Sequence, residues 1–240
     1  MKLIIAHRGA SSYAPENTFA AFDRAFESGA RHVELDVHSS RDGHIVVHHD
    51  DTLDRTTNGS GPVAEHTLAD LKKLDAGSWF NPEFSNEKIP TLEEVLLQYK
   101  EKFYFHIEIK GYSPTLISQV LKLIEKHALE NRVTITSFKK AYLEETLQLS
   151  PTTHTGWLVK EVNEAVIKEA RRIGIRQICP KATLMTPELV SHIHNEGFEV
   201  RAWGVSNEAL MHQVIQSGAE GMTINFPDIL LAHLKMKKCE

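Results

Sequence analysis

The spacing of apolar and polar positions changes several times along the chain, and each change marks an element. Leu3 to Ala6 is a short apolar run that stops at His7-Arg8-Gly9, as a buried strand ending in a polar loop does. Phe19, Phe22 and Phe26 follow Asn17-Thr18 at helical spacing, and Gly29 supplies the stop. From Arg31 the period becomes two. Val33, Leu35 and Val37 face one way and Glu34 and Asp36 the other, which sets the two carboxylates about 7 Å apart on one wall. Arg41-Asp42-Gly43 reads as a turn, and Ile45-Val46-Val47 leads into His48-His49-Asp50. So short a connection cannot make a parallel crossover, so the second run folds back antiparallel and returns the histidines toward the carboxylates. Taken alone, the stretch fits a polar edge hairpin with solvated charges equally well.

From Asp51 to about Pro90 the pattern is irregular, with the turn-rich Thr56-Thr57-Asn58-Gly59-Ser60-Gly61-Pro62 and a short helical piece from Leu68 to Leu74. After Thr91 it becomes regular. Helices are predicted over 92–100, 114–127, 140–149, 163–173, 187–196 and 207–216, with a last one from Pro227. Between them fall strands over 103–109, 133–136, 153–158, 177–179, 198–203 and 221–224. With the strands at Leu3 and Val33, and the Ile45 strand set aside as decoration, the chain holds about eight βα units. In roughly 250 residues that is the signature of an α/β protein of the closed (β/α)8 or TIM barrel type; the competitor is an open doubly wound sheet. No internal repeat, low-complexity tract or interdomain linker is visible, so residues 1–240 read as one barrel domain with an excursion.

Composition narrows the picture little. Charged and apolar fractions are ordinary, and a net charge of -5 gives no reason to expect nucleic acid as a partner, though a local basic pocket remains open. Cys179 and Cys239 are too few and too late for a disulfide framework, which suits a reducing compartment. MKLIIAHRG is read as neither a signal peptide nor a membrane span, and no later run approaches membrane length, so a cytoplasmic protein without stable membrane insertion is the expectation. Nothing in the sequence sets an oligomeric state.

In a closed barrel, chemistry sits at the C-terminal strand ends. Read in order, those ends carry His7-Arg8, Glu34/Asp36, Glu108/Lys110 from HIEIK, and Trp203. Three uncompensated carboxylates at one mouth repel and lose solvation, and a divalent cation resolves that; all-oxygen ligands favour Ca²⁺ or Mg²⁺ over zinc. The competing account pairs Glu108 with Lys110 or Arg8 in a structural ion network. Arg8 and Lys110 beside a bound cation suit a phosphoryl group. His7 and His49 are candidate acid and base, because their pKa lies near working pH. His38 shares a face with Glu34 and Asp36, His48 opposes His49, and His106 lies one step beneath Glu108. Trp203 is either a core aromatic or a wall for the alcohol part of a substrate. Ser137, Thr155 and Ser206 show no activating partner.

HRGASSYAPENT, VELDVHSSRDGHIVVHHDDTLDRTTNGSG and HIEIK, in this order, resemble the glycerophosphodiester phosphodiesterases, as do Thr136-Ser137-Phe138, Pro180, and Trp203 with Asn207. The resemblance spans nearly the whole chain. It implies a (β/α)8 barrel with a small insertion after the second strand, here about 39–90. It also implies His7 and His49 as general acid and base, and Glu34, Asp36 and Glu108 as ligands of a divalent metal. Arg8 and Lys110 would contact phosphate. Glu16 and Asn17, in the PENT motif, read as loop-shaping. Two departures stand out. The family often has WTVN where this chain has Trp203-Gly204-Val205-Ser206-Asn207, and TDxP where it has Ile224-Asn225-Phe226-Pro227. Both are expected to bear on substrate selection more than on the acid–base core. The activity implied is metal-dependent hydrolysis of a small-molecule glycerophosphodiester to an alcohol and sn-glycerol 3-phosphate. The alternatives are a lysophospholipase D-type hydrolase, which needs an apolar groove at the rim, and a non-catalytic barrel that binds a phosphodiester.

Overall fold

The computed structural model describes residues 3–236; Cys239 lies outside them. Its elements run β1 (Leu3–His7), α1 (Phe19–Glu27), β2 (His32–Ser39), β3 (Ile45–Val47), α2 (Leu68–Leu71), α3 (Leu92–Tyr99) and β4 (Tyr104–Ile109). They continue α4 (Leu116–Lys126), β5 (Val133–Ser137), α5 (Lys140–Leu149), β6 (His154–Val159), α6 (Glu164–Ile173) and β7 (Gln177–Pro180). The chain ends in α7 (Pro187–Asn195), β8 (Glu199–Val205), α8 (Glu208–Ser217), β9 (Gly221–Ile224) and α9 (Pro227–Met236). β1 pairs in parallel with both β2 and β9, which closes the sheet through β4 to β8 into an eight-stranded barrel ringed by helices. The TIM barrel is therefore observed, and the open-sheet alternative is excluded.

β3 stands outside the barrel. It pairs antiparallel with β2, Val37 facing Val47 and Ser39 facing Ile45, as the short turn requires. Every β2 residue after His32 is buried, because helices cover one face and the barrel interior the other. Val33, Leu35 and Val37 join the main core against α1, α3 and α4. Helix starts follow their capping residues. Thr18, Thr91, Asn163, Thr186 and Asn207 each accept a backbone N–H of the first turn, and Thr91 forms a reciprocal capping box with Glu94.

The segment between β3 and α3 carries its own small core of Val46, Leu53, Val63, Leu71, Ala76 and Ile89. The expected helix from Leu68 to Leu74 is shorter. It ends at Leu71, the residue that anchors it in this core, and Asp75 then caps the backbone N–H groups of Gly77 and Ser78 in a turn.

Two glycines shape the backbone next to the strand ends. A Cβ on Gly9 (φ +83°) would lie 2.5 Å from the backbone of Ala21, so only glycine lets the loop after β1 cross α1. Gly204 (φ +74°) sits where the β8–β9 register slips between Ala202 and Val205. The extra residue seen in the sequence is thus a β-bulge, and β8 runs two residues past its expected end.

Candidate active site

The parallel register of β1, β2 and β4 brings the strand-end residues together. His7 is level with Glu34, and Asp36 with Glu108. One oxygen from each of Glu34, Asp36 and Glu108 lies within 4.8 Å of the others, and all three side chains are buried. Burial, with Asp36 and Glu108 adding repulsion, pushes the Glu34 carboxyl well above the usual carboxylate range. Burial and Asp36 together raise Glu108 to about 7. Asp36 goes the other way: against its burial, Arg8, His49 and Lys110 hold it below the usual range. Asp36 Oδ1 is buried and has no hydrogen-bond donor among the described residues. Three buried carboxylates, two of them held high by burial and by repulsion from their neighbours and one with an idle oxygen, fit a divalent, oxygen-preferring cation.

Cationic groups surround the cluster without neutralising it. Arg8 Nε lies 3.3 Å from Asp36, and Lys110 Nζ lies 3.4 Å from Glu108 and 4.0 Å from Asp36. Arg8 also donates its backbone N–H to Glu34 at 3.1 Å from a left-handed backbone (φ 54°), a conformation unusual for a residue with a Cβ. The structural ion pairing weighed against the metal is therefore present, but it leaves Glu34 without a side-chain cation.

His7 has one ring nitrogen held by a hydrogen bond, and His49 has both. His7 Nδ1 is 2.6 Å from Asn225 Oδ1, and its Nε2 lies 3.9 Å from Glu34. Burial and the neighbouring Arg8 push His7 down to about 4. His49 Nδ1 is 2.5 Å from Asp50 Oδ1, and its Nε2 is 3.0 Å from Lys110 Nζ. Burial lowers His49 too, with Asp36 and Asp50 opposing the shift. The hairpin does return His49 beside the carboxylates. His48 points away, donating Nε2–H to Thr52 O, and His38 supports the His49 backbone carbonyl. His106 is buried one layer down against His32.

A line of ion pairs that the residue types alone did not disclose ties this together. Asp50 accepts from Arg55 at 2.6 Å, Arg55 reaches Glu16 at 2.7 Å, and Glu16 accepts from Arg8 at 2.8 Å. Asn17, also in a left-handed conformation, donates Nδ2–H to Asp36 at 2.9 Å. Glu16 and Asn17 therefore hold site residues directly, beyond shaping a loop. The departure from TDxP, expected to bear on substrate selection, places Asn225 Oδ1 directly against His7 Nδ1.

His7, Arg8, Glu34, His49, Glu108 and Lys110 line a cavity of about 270 Å³ whose far wall is Phe138, Leu158 and Trp203. Trp203 Nε1–H donates to Val159 O, and its ring meets Phe138 edge-on at 4.9 Å. A larger groove of about 570 Å³ lies between the β2–β3 turn, α3 and α4, but its carboxylates Glu93 and Glu94 are each paired with a surface lysine. Chemistry, not size, singles out the barrel mouth.

Comparison with known proteins agrees with this geometry. A glycerophosphodiester phosphodiesterase of Bacillus subtilis is 38% identical over 95% of this chain and 84% of its own. One of Caldanaerobacter subterraneus is 39% identical over 95% of this chain and 96% of its own. Among solved structures, a phosphodiesterase of Oleispira antarctica in complex with the product sn-glycerol-3-phosphate superposes with a TM-score of 0.92 at 29% identity, covering 98% of this chain and 97% of the other. Residues 7–229 match the Glycerophosphoryl diester phosphodiesterase family, and the chain belongs to that family.

Proposed function

We propose that this chain hydrolyses glycerophosphodiesters to an alcohol and sn-glycerol 3-phosphate, with a divalent metal, Ca²⁺ or Mg²⁺, held by Glu34, Asp36 and Glu108. The observation that carries this is one cavity lined by Glu34, Glu108, His7, His49, Arg8 and Lys110, with the buried Asp36 clustered on the same two carboxylates. When bound, the metal supplies a Lewis acid for a phosphoryl oxygen and a template for the glycerol hydroxyls. Arg8 and Lys110 neutralise the remaining phosphoryl charge as it grows toward the transition state.

The two histidines take different jobs because their partners differ. With Asn225 Oδ1 accepting from Nδ1, His7 keeps a lone pair on Nε2 and stays neutral, so it takes the proton of the attacking water. Asp50 favours the charged form of His49, and when Lys110 Nζ leaves His49 Nε2 for the phosphoryl oxygens, Nε2 can carry the proton that goes to the leaving alcohol oxygen. Phe138, Leu158 and Trp203 form the wall against which that alcohol packs.

Cytoplasmic action is part of the proposal. The scarcity of cysteines supports it, Cys179 being buried and unpaired. Among the described residues no helix is long and apolar enough to cross a membrane. The deciding assay is release of glycerol 3-phosphate from glycerophosphocholine with Ca²⁺ or Mg²⁺, abolished by chelation. Absence of turnover on every glycerophosphodiester under every divalent metal would refute the assignment.

A further inference from the structure

The guanidinium of Arg55 spans two carboxylates that serve opposite sides of the site. Its Nε and Nη2 donate to Asp50 at 2.6 and 3.2 Å, and its Nη1 and Nη2 donate to Glu16 at 2.9 and 2.7 Å. Each carboxylate is shared with a group at the cavity. Asp50 Oδ1 also accepts from His49 Nδ1, and Glu16 Oε1 also accepts from Arg8 Nη1 at 2.8 Å. Arg55 does not line the cavity, and its side chain is 45% exposed, against 26% for Asp50 and 12% for Glu16. It stands behind the site, on the solvent side, so any effect it has on the reaction passes through these two partners.

The two grips have different consequences. Asp50 is partly exposed, and Arg55 on its far side keeps Oδ1 turned to His49 rather than to water. Glu16 serves two cations, Arg55 and Arg8. A carboxylate shared between two cations binds each less tightly than it would bind one alone. Without Arg55, Glu16 turns its whole charge on Arg8, and Arg8 must leave a stronger pair before it meets a phosphoryl oxygen. Only a planar fork can do both jobs, because an ammonium is a point charge and cannot take two carboxylates bidentately.

Building on the hydrolase assignment, we propose that Arg55 is a positioning residue that couples the two halves of the reaction: through Asp50 it aims the proton donor His49, and through Glu16 it frees Arg8 for the phosphoryl group. Loss of Arg55 therefore harms both kcat and KM. Loss of a merely structural contact lowers the amount of active protein and leaves KM alone. The KM half has a specific remedy. When Glu16 loses its charge as well, only Asp36 among the described residues still pairs with the Arg8 side chain, so KM returns while kcat stays low.

The test measures kcat and KM for glycerophosphocholine in the wild type, in Arg55→Gln and in the double variant that adds Glu16→Gln, with folding checked by circular dichroism. Arg55→Gln should lower kcat by about 10-fold or more, the scale of a misdirected acid. It should also raise KM by about 5-fold, the scale of one partly exposed ion pair. The double variant should recover the wild-type KM to within about 2-fold and keep the low kcat. An unchanged kcat or KM in Arg55→Gln, or a KM that the second substitution leaves high, overturns the coupling while the hydrolase assignment stands. Should Arg55→Gln fail to fold, Arg55→Lys takes its place: it keeps the charge, loses the fork and should show the same split. If the wild type cleaves no glycerophosphodiester, the assignment fails instead. Calorimetric binding of inorganic phosphate then decides the Glu16 arm: an affinity that Arg55→Gln weakens and the double variant restores supports it, and equal affinities or no binding overturn it.

Discussion

His49 and Asp50 are neighbours in sequence, yet the Asp50 carboxylate folds back to accept the Nδ1–H of His49 at 2.5 Å while Arg55 holds it from the far side. That fixes the ring with Nε2 toward Lys110 and the cavity. Asp50→Asn keeps an acceptor but removes the charge that favours imidazolium. It should lower kcat by about 10-fold or more, up to the roughly 10²–10⁴-fold that acid–base catalysis contributes, with KM little changed. Equal kcat values for mutant and wild type would remove Asp50 from this role.

Asn225 gives His7 an uncharged partner. Asn225→Asp places a carboxylate against Nδ1, which raises the His7 pKa from about 4. A base works only when unprotonated, so the acidic limb of the kcat/KM profile should move to higher pH by about 1 unit or more. His7→Ala should abolish that limb and lower kcat by about 10²–10⁴-fold. A profile that ignores both substitutions would assign the limb elsewhere.

Protons and metal compete for the carboxylate cluster. Glu108 is raised from 4.5 to about 7, and Glu34 is also raised by burial and its carboxylate neighbours; without metal the Glu108 contribution to stability is full below about pH 4.5 and is lost as pH rises through about 7. A divalent cation removes that loss by favouring the ionised forms. The gain in Tm on adding Ca²⁺ or Mg²⁺ to chelator-treated protein should therefore be larger at pH 8 than at pH 6. Scanning calorimetry at both values checks this; a gain independent of pH would place the metal elsewhere.

Gly204→Ala tests the bulge. The new methyl meets only Lys181 Cγ at 3.8 Å, so the cost is the left-handed backbone, about 1–2 kcal/mol. For a chain of this length, Tm should fall by about 2–8 °C. kcat/KM should fall as well, because the adjacent Trp203 lines the cavity and is the proposed wall for the alcohol. An unchanged Tm would mean that the bulge relaxes without strain.

The barrel was legible because its strands and helices announce themselves through period and caps, and Glu34, Asp36 and Glu108 through strand parity. His7 and His49 were legible as strand-end residues. Asn225 was not, since its meaning depends on a residue 218 positions away. Arg55 reads as one more polar residue in a turn-rich stretch. Whether the extra Gly204 lengthens a loop or bulges a strand depends on the register of β9, which is set by pairing and not by local pattern. Contacts within an element were readable; contacts that cross the barrel were not.

The β1–β9 seam has a consequence for how activity arises. His7 stands at the end of the first strand, and its partner Asn225 directly follows the last. During synthesis the histidine leaves the ribosome 218 residues ahead of its asparagine. A nascent chain can hold the carboxylates and His49 long before that, but not an oriented His7. With His7 as the proposed base, turnover reports ring closure itself, and a chain cut short before residue 225 lacks the contact that orients the His7 ring.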